Sequence, residues 1–588
     1  MKQNPFRPPE SQWLRNMVEL SVLFIMAVIV LRGFLLEGYL ISTGSMAPGL
    51  RGLHKHVACP SCGVEFAFGV TFDESVNGQA NSGDEPSYSQ THAVCPNCGQ
   101  VDIDVANVPV SHGDQLLVHK NVFDFRRPRR WECVVFRNPA SPGEAYVKRI
   151  VGLPGETLQD IDGDLFIEGT IARKDFETQL DIRIPVFDLA KPAKSDEWQM
   201  PWQVKGPWAM ENGRLIGRSD GVKPSEVDGE TKAISGDTSD WLQLRHWRWT
   251  GGTQFVEVPL QSDEAAADWE RCLIQMQKGP ATWMTRIQFD RDNRVLRLQG
   301  VMPWQLQQNL VSWAETEEFR SAVFRLGALS HLTPVTDEYG YNSSVASPEF
   351  PVNDLMVDAK LNWTDAPECV SVRIPIDHHL FRVDLLLRAG KLELVSEDTG
   401  QTVRSAELKT PERTEGQMST LNVIVSNFDH RIIVAIDGIP AFTELDIPLT
   451  ATINNPAVTD ASFRSPNDQA AETARIVHQQ SRLGLGLRGG SVLVSELRLY
   501  RDVYYTPGRR KNGVERPYVL GKDCYFMQGD NSPVSSDSRN WEDPCVPHRL
   551  LVGKPFVVHL PSRPGRLSFA GFELPIRIPD FERIRYIH

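Results

Sequence analysis

Hydrophobic residues fill almost every position from Asn16 to Leu31 (NMVELSVLFIMAVIVL), and the apolar character resumes from Gly33 to Leu36. Only Glu19 and Arg32 interrupt it, both near the ends, where long side chains reach toward water. A helix needs about 20 apolar residues to cross a bilayer, so residues 17–36 are predicted to form a transmembrane helix. Much farther along, the pattern changes to alternation. From Asp354 the segments DLMVDAKLNW, CVSVRIPID, FRVDLLLR, KLELVSE, LNVIVSNF, RIIVAIDGI and SVLVSELRLYRDVYY read as strands. Turn residues separate them at Ala389-Gly390, Asp398-Thr-Gly400 and Asp437-Gly438, which predicts an antiparallel β-sandwich over 341–507. Leu165 to Lys174, after the turn at Asp160–Asp164, reads as a hairpin. Residues 176–340 are rich in Trp, with short strand-like runs, one helical stretch near 315–328 and no fold evident from the pattern. The predicted class is mainly β.

The chain has 588 residues, enough for about four domains. With 41% hydrophobic and 23% charged residues it can bury several cores. A net charge of -13 leaves no electrostatic footprint for a nucleic-acid binder. A mean hydropathy of -0.30 excludes a polytopic membrane protein but permits one anchor. Lys2, Arg7 and Arg15 precede the apolar stretch against Glu10 alone, so residues 1–16 are expected in the cytoplasm and the body across the membrane. A cleaved signal peptide fits less well: the stretch is long for one, and no small-x-small site follows.

Of nine cysteines, four are patterned: Cys59-Pro-Ser-Cys62-Gly and Cys95-Pro-Asn-Cys98-Gly. Each turn presents two sulfurs, and Gly63 and Gly99 free the backbone amides to face them. Four thiolates would close a tetrahedral, structural zinc site in an insert at 58–102. Two disulfides are the alternative, which an oxidising compartment permits. The spacer centre, residues 77–90, reads as a loop. Cys524 and Cys545 flank a motif near the far end and are placed to pair, or to remain buried thiols.

Directly after the apolar stretch comes Ile41-Ser-Thr-Gly-Ser-Met-Ala-Pro-Gly-Leu50, then Gly113-Asp-Gln-Leu-Leu-Val-His-Lys120. Tyr146-Val-Lys-Arg-Ile-Val-Gly-Leu-Pro-Gly-Glu156 follows, and far away stands Gly529-Asp-Asn-Ser-Pro-Val-Ser-Ser-Asp-Ser-Arg539. Taken alone, each fits a polar turn or an exposed strand. In this order behind an apolar segment they resemble the bacterial type I signal peptidases, membrane-bound Ser/Lys proteases. The resemblance covers roughly 17–55, 110–175 and 515–560. It implies Ser45 as nucleophile, Lys148 as general base, and an oxyanion site from Thr43 and the Ser45 amide. Ser535 would orient the lysine, and Asp537 and Arg539 would support the site as an ion pair. Thr43 stands where many relatives have Ser, and Glu156 where Asp is usual. A lysine base must be neutral, and its ordinary pKa of about 10.4 is lowered by burial. Alternation places Tyr146, Lys148 and Ile150 on one strand face, a plausible dry wall.

The resemblance therefore implies removal of signal peptides from secretory preproteins, cut after Ala-x-Ala-like residues, with the lipid bilayer holding enzyme and substrate together. Catalysis would need no cofactor. The expected layout is cytoplasmic 1–16, membrane helix 17–36, catalytic core 37–57, 103–175 and 508–588, with inserts at 58–102, 176–340 and 341–507. The sandwich resembles concanavalin/laminin-G jelly rolls in strand pattern, and folds of that kind bind glycans or proteins, or serve as spacers. The rival reading is a membrane-tethered binding protein with an inactive peptidase core and a lectin-like sandwich. A self-cleaving repressor with the same chemistry lacks support, since no DNA-binding unit is present.

Overall fold

The computed structural model describes residues 10–30, 35–70, 91–194, 198–211, 214–219, 241–249, 251, 255–342, 349–408, 418–449, 475–507, 511–559, 561–569 and 572–587. The fold is mainly β. Its first sheet runs Leu36–Leu40, Gln115–His119, Leu551–Val558, Cys133–Arg137, Ala145–Gly152, Cys524–Gln528 and Val546–Pro547, with Arg585–Tyr586 paired to Leu551–Val558. This sheet is buried on both faces around the hairpin at 133–152, because alternate side chains enter different cores. Cys133, Val135 and Val147 join one cluster, whereas Val134, Phe136, Tyr146 and Ile150 join another. A smaller sheet beside it contains Thr170–Ile171, Asp164–Ile167, Thr157–Ile161 and Tyr518–Val519.

Two larger antiparallel sheets, of nine and seven strands, lie beyond these, and Ile184 of the first joins the cluster of Val151 and Leu158. Val357, Leu421 and Val494 of the first meet Val372, Val383 and Leu485 of the second in one hydrophobic cluster. Each such side chain contributes about 1.5–3 kcal/mol when fully buried. Strands at Ile184–Asp188, Trp202–Gln203, Trp208–Glu211, Arg214–Ser219 and Trp241–Leu244 complete these sheets alongside those from Leu355 to Arg501. The sheets thus draw on both sides of residue 340. Trp202 and Trp208 fill their shared core. A third body packs helices Asp263–Met276, Ala281–Arg286, Trp304–Trp313 and Glu317–Ser330 on a small sheet, around Trp269 and Trp283. The last helix accounts for the helical stretch read near 315–328.

The expected span at 17–36 needs correction. A helix runs over Glu10–Val30, and Leu36–Leu40 is already a strand paired with Gln115–His119. Among the described residues no helix is long and apolar enough to cross a membrane. Ladder hydrogen bonds to the core sheet override the local apolar pattern at its C-terminal end. Val18, Leu20, Leu23, Phe24 and Ile29 on that helix are exposed. Residues 1–9 of the expected cytoplasmic segment and the spacer at 77–90 lie outside the described residues.

Candidate functional site

Ser45 sits in the turn that follows the first strand. Backbone bonds from Ala47 to Gly44 and from Leu50 to Met46 tighten this turn, and Met46, Ala47 and Leu50 are buried beneath it. The Gly529–Arg539 block closes over it. The Asn531 backbone N–H donates to the Ser45 carbonyl at 3.0 Å. Its side-chain amide donates to the Gly44 carbonyl at 2.9 Å. At Gly529 any Cβ would collide with both Ser535 Oγ and the Ser45 carbonyl, so only glycine lets the two segments approach this closely. Thr43 Oγ1 lies 3.5 Å from Ser45 Oγ.

Lys148 lies opposite Val134 in the core hairpin. It is 2% exposed, and its Nζ donates to Ser535 Oγ at 2.9 Å. The next residue in the strand, Arg149, turns to a different buried partner. Its Nε and Nη2 hold the two oxygens of Asp530 at 2.8 and 2.7 Å, and Nη1 donates to the Trp131 carbonyl. Asp537 and Arg539 form a fully buried ion pair. Burial alone would raise the Asp537 carboxyl, but the Arg539 guanidinium, together with Lys148 and the Gly529 amide, holds it below the usual carboxylate range. Asp537 accepts from the Gly529 N–H at 3.1 Å, so the ion pair fixes the loop that touches both Ser45 and Ser535. Arg539 also donates to the Thr506 carbonyl at 2.6 Å. A disulfide between Cys524 and Cys545 ties the ends of this block.

The structure therefore gathers Thr43, Ser45, Lys148, Ser535, Asp537 and Arg539 around one buried junction. Sequence reading passed over Arg149 as a neighbour of the lysine. It also missed a segment of the insert, Tyr339 to Asn342, that packs directly on this junction. Tyr339 Oη donates to the Asp530 carbonyl at 2.6 Å. Asn342 and Asn531 exchange side-chain amide hydrogen bonds at 2.6 and 2.8 Å. The Tyr341 ring occupies the space where a Cβ on Gly44 would lie. No local motif marks these residues; only their position in space does. Asp114 is a further anchor, accepting from the Arg51 N–H and from both Nη atoms of Arg583, each at 2.8 Å. Glu156, where Asp is usual, still closes its turn by accepting from the Leu153 N–H and from Arg130.

Cys59, Cys62, Cys95 and Cys98 lie apart from this junction, all buried and none in a disulfide. Their sulfurs fall within 4.8 Å of one another, and Cys59–Cys98 and Cys62–Cys95 are each 3.6 Å apart. A tetrahedron of sulfurs about 2.3 Å from a central zinc has edges of about 3.8 Å, so the four residues fit a metal ion. The Gly63 and Gly99 N–H groups donate to the carbonyls of Cys59 and Cys95, closing the two knuckles.

Comparison with known proteins points one way. A family model described as signal peptidase, peptidase S26, matches residues 100–205, which include Lys148 but neither Ser45 nor Ser535. Signal peptidase I of Leptolyngbya laminosa is 42% identical over 64 residues, 10% of this chain and 31% of that protein. Signal peptidase I of Pseudomonas aeruginosa is 34% identical over 82 residues, 13% of this chain and 26% of its own length. Signal peptidase I V of Bacillus subtilis is 35% identical over 63 residues, 11% and 36%. The matched segments thus span about a third or less of these relatives. Among solved structures, a Caenorhabditis elegans galectin covers 25% of this chain and 83% of its own at 11% identity, with a TM-score of 0.16. The carbohydrate-binding module CBM66 of Bacillus subtilis covers 25% and 72% at 6% identity and 0.14. Both scores are too low to establish a shared fold. Over these matched segments the chain is similar to the type I signal peptidases of peptidase family S26.

Proposed function

We propose that this chain is a serine endopeptidase that removes signal peptides from secretory preproteins at Ala-x-Ala-like sites, using Ser45 and Lys148. The observation that carries the reading is the buried Lys148 amine bonded to Ser535 Oγ, a partner 387 residues away, beside the Ser45 turn. An amine removed from water is disfavoured in its charged form, which is the condition a lysine base requires. Ser45 Oγ attacks the peptide carbonyl carbon while Lys148 takes its proton. The oxyanion of the tetrahedral intermediate accepts hydrogen bonds from the Ser45 N–H and the Thr43 hydroxyl. Lys148 returns the proton to the leaving amine as the C–N bond breaks, and a water then releases the acyl group from Ser45. Ser535 positions the lysine, and the Asp537–Arg539 and Arg149–Asp530 pairs hold the surrounding loop.

The exposed apolar side chains of the helix over Glu10–Val30 support attachment to a membrane surface. The four-cysteine cluster supports a structural zinc, which would fix the knuckles and take no part in the reaction. The two sheets that share one core support a sandwich insert.

The test is cleavage of a preprotein with Ala-x-Ala before the cut, by the full chain in detergent. Ser45→Ala and Lys148→Ala are each expected to lower kcat/KM by more than about 10³. Cleavage unaffected by either change, or no cleavage by the wild type on several preproteins, would overturn the reading.

A further inference from the structure

The outer face of the seven-stranded sheet carries a cavity of about 500 Å³, a volume suited to a small molecule. Alternation places it away from the core: Leu242, Leu244, Val372 and Ile374 point into the shared cluster, whereas Gln243 and Arg373 line the cavity. Neighbouring strands bring Gln203, Gln243, Gly484, Arg373 and Arg382 into one cross-strand row. Gly484 supplies no side chain to that row, and the Trp241 ring lies beside it, where a Cβ would approach the ring and the Leu242 carbonyl.

The lining is cationic, although the chain as a whole carries -13. Lys205, Arg245, Arg373 and Arg482 face it with His478, against the single carboxylate of Glu397. That carboxylate is already engaged, because Glu397 Oε1 accepts from Arg373 Nε and Nη2 at 3.1 and 3.0 Å. Arg373 is itself locked, its guanidinium 3.7 Å above the Trp241 ring. Lys205, Arg245 and Arg482 have no ion pair among the described residues. Arg245 Nε is buried with no hydrogen-bond partner, and so is Gln203 Oε1 in the strand beside Gln243. A buried polar atom without a partner is destabilising, and like charges gathered in a recess repel. A bound oxyanion would relieve both costs, because guanidinium and ammonium groups recognise phosphate, sulfate and carboxylate directly.

We propose that this cavity binds a small ligand carrying two or more oxyanion groups, held by Lys205, Arg245 and Arg482 over the floor set by Arg373. The assignment is independent of the peptidase reading, since none of these residues belongs to the Ser45 junction.

The experiment titrates the full chain in detergent, at low ionic strength, with inorganic pyrophosphate, a trisulfated disaccharide, and vesicles of phosphatidylglycerol or phosphatidylcholine. Saturable binding of pyrophosphate or the disaccharide is expected, weakened by added salt. The double variant Arg245→Gln/Arg482→Gln should weaken it by about tenfold or more. If that variant fails to fold, Lys205→Gln, outside the strands, provides the same comparison. Phosphatidylglycerol binding that depends on these residues, without binding of the soluble probes, supports the site and identifies a lipid headgroup as its source. Absence of binding to every probe, or binding that the folded variants leave unchanged, would overturn the proposal.

Discussion

Asn342 and Asn531 hold each other's side-chain amides, and Asn531 also carries the Gly44 carbonyl next to the proposed nucleophile. Removing one member leaves a buried amide oxygen without its donor, which costs about 1–3 kcal/mol. Asn342→Ala is therefore expected to lower stability by that amount and to reduce kcat, with little change in KM. A loss of stability with kcat intact would reduce Asn342 to packing alone. This contact also shows where sequence reading stops. Asn531 lies in the Gly529–Arg539 block, one of the four that carry the family resemblance. Asn342 stands in a Trp-rich stretch without a motif, and its role exists only because the chain folds back across 189 residues. Lys148 and Ser535 were legible only because the order of the motif blocks resembles a known family, which implies their roles. Arg149 was not, because its buried partner Asp530 lies 381 residues away.

Strands decide which of these residues meet. Alternation along Ala145–Gly152 and Cys133–Arg137 sends successive side chains into two cores, and in the sequence it was read only at Tyr146, Lys148 and Ile150. The end of the apolar N-terminal stretch was not readable in this way, since pairing of Leu36–Leu40 with Gln115–His119 is a long-range contact. Strand Thr157–Ile161 adds a titratable link under the site. Gln528 Nε2 donates to Asp160 Oδ2 at 2.5 Å, and burial pushes the Asp160 carboxyl up to about 7, against the pull of Arg539. A folded-state pKa above the ordinary value of about 3.9 means the folded chain binds more protons than the unfolded chain between about pH 4 and 7. Its contribution to stability is then present at pH 4 and lost as pH rises through 7. Asp160→Asn keeps the neutral shape and removes the titration. The difference in Tm between pH 5 and pH 8 should shrink in this variant, and the gain in stability at pH 8 should be on the order of a few kcal/mol. An unchanged pH dependence would contradict this.

At the scale of the molecule, the cysteine knuckles are joined to the insert as well as to the core. Asn97 Oδ1 accepts from the Asp188 N–H at 2.7 Å, Asn97 Nδ2 donates to the Lys191 carbonyl, and Trp198 Nε1 donates to the Cys98 carbonyl at 3.1 Å. Protein purified under reducing conditions is expected to contain about one zinc per chain. Chelation should expose four reactive thiols and lower Tm by several degrees, because the metal binds only the folded arrangement. Metal-free protein with the same Tm and no reactive thiols would indicate disulfides instead.

The return path from the insert has a practical consequence for anyone seeking a minimal version of this protein. After strand Gly490–Arg501 the chain passes through Tyr505 and Thr506, whose carbonyl receives Arg539, while Tyr339 and Asn342 brace the turn from the other side. Excising 176–507 and joining the cut ends would therefore strip hydrogen-bond partners from Asp530, Asn531 and Arg539 at once. A working truncation has to graft replacements for those three braces, not merely close the gap.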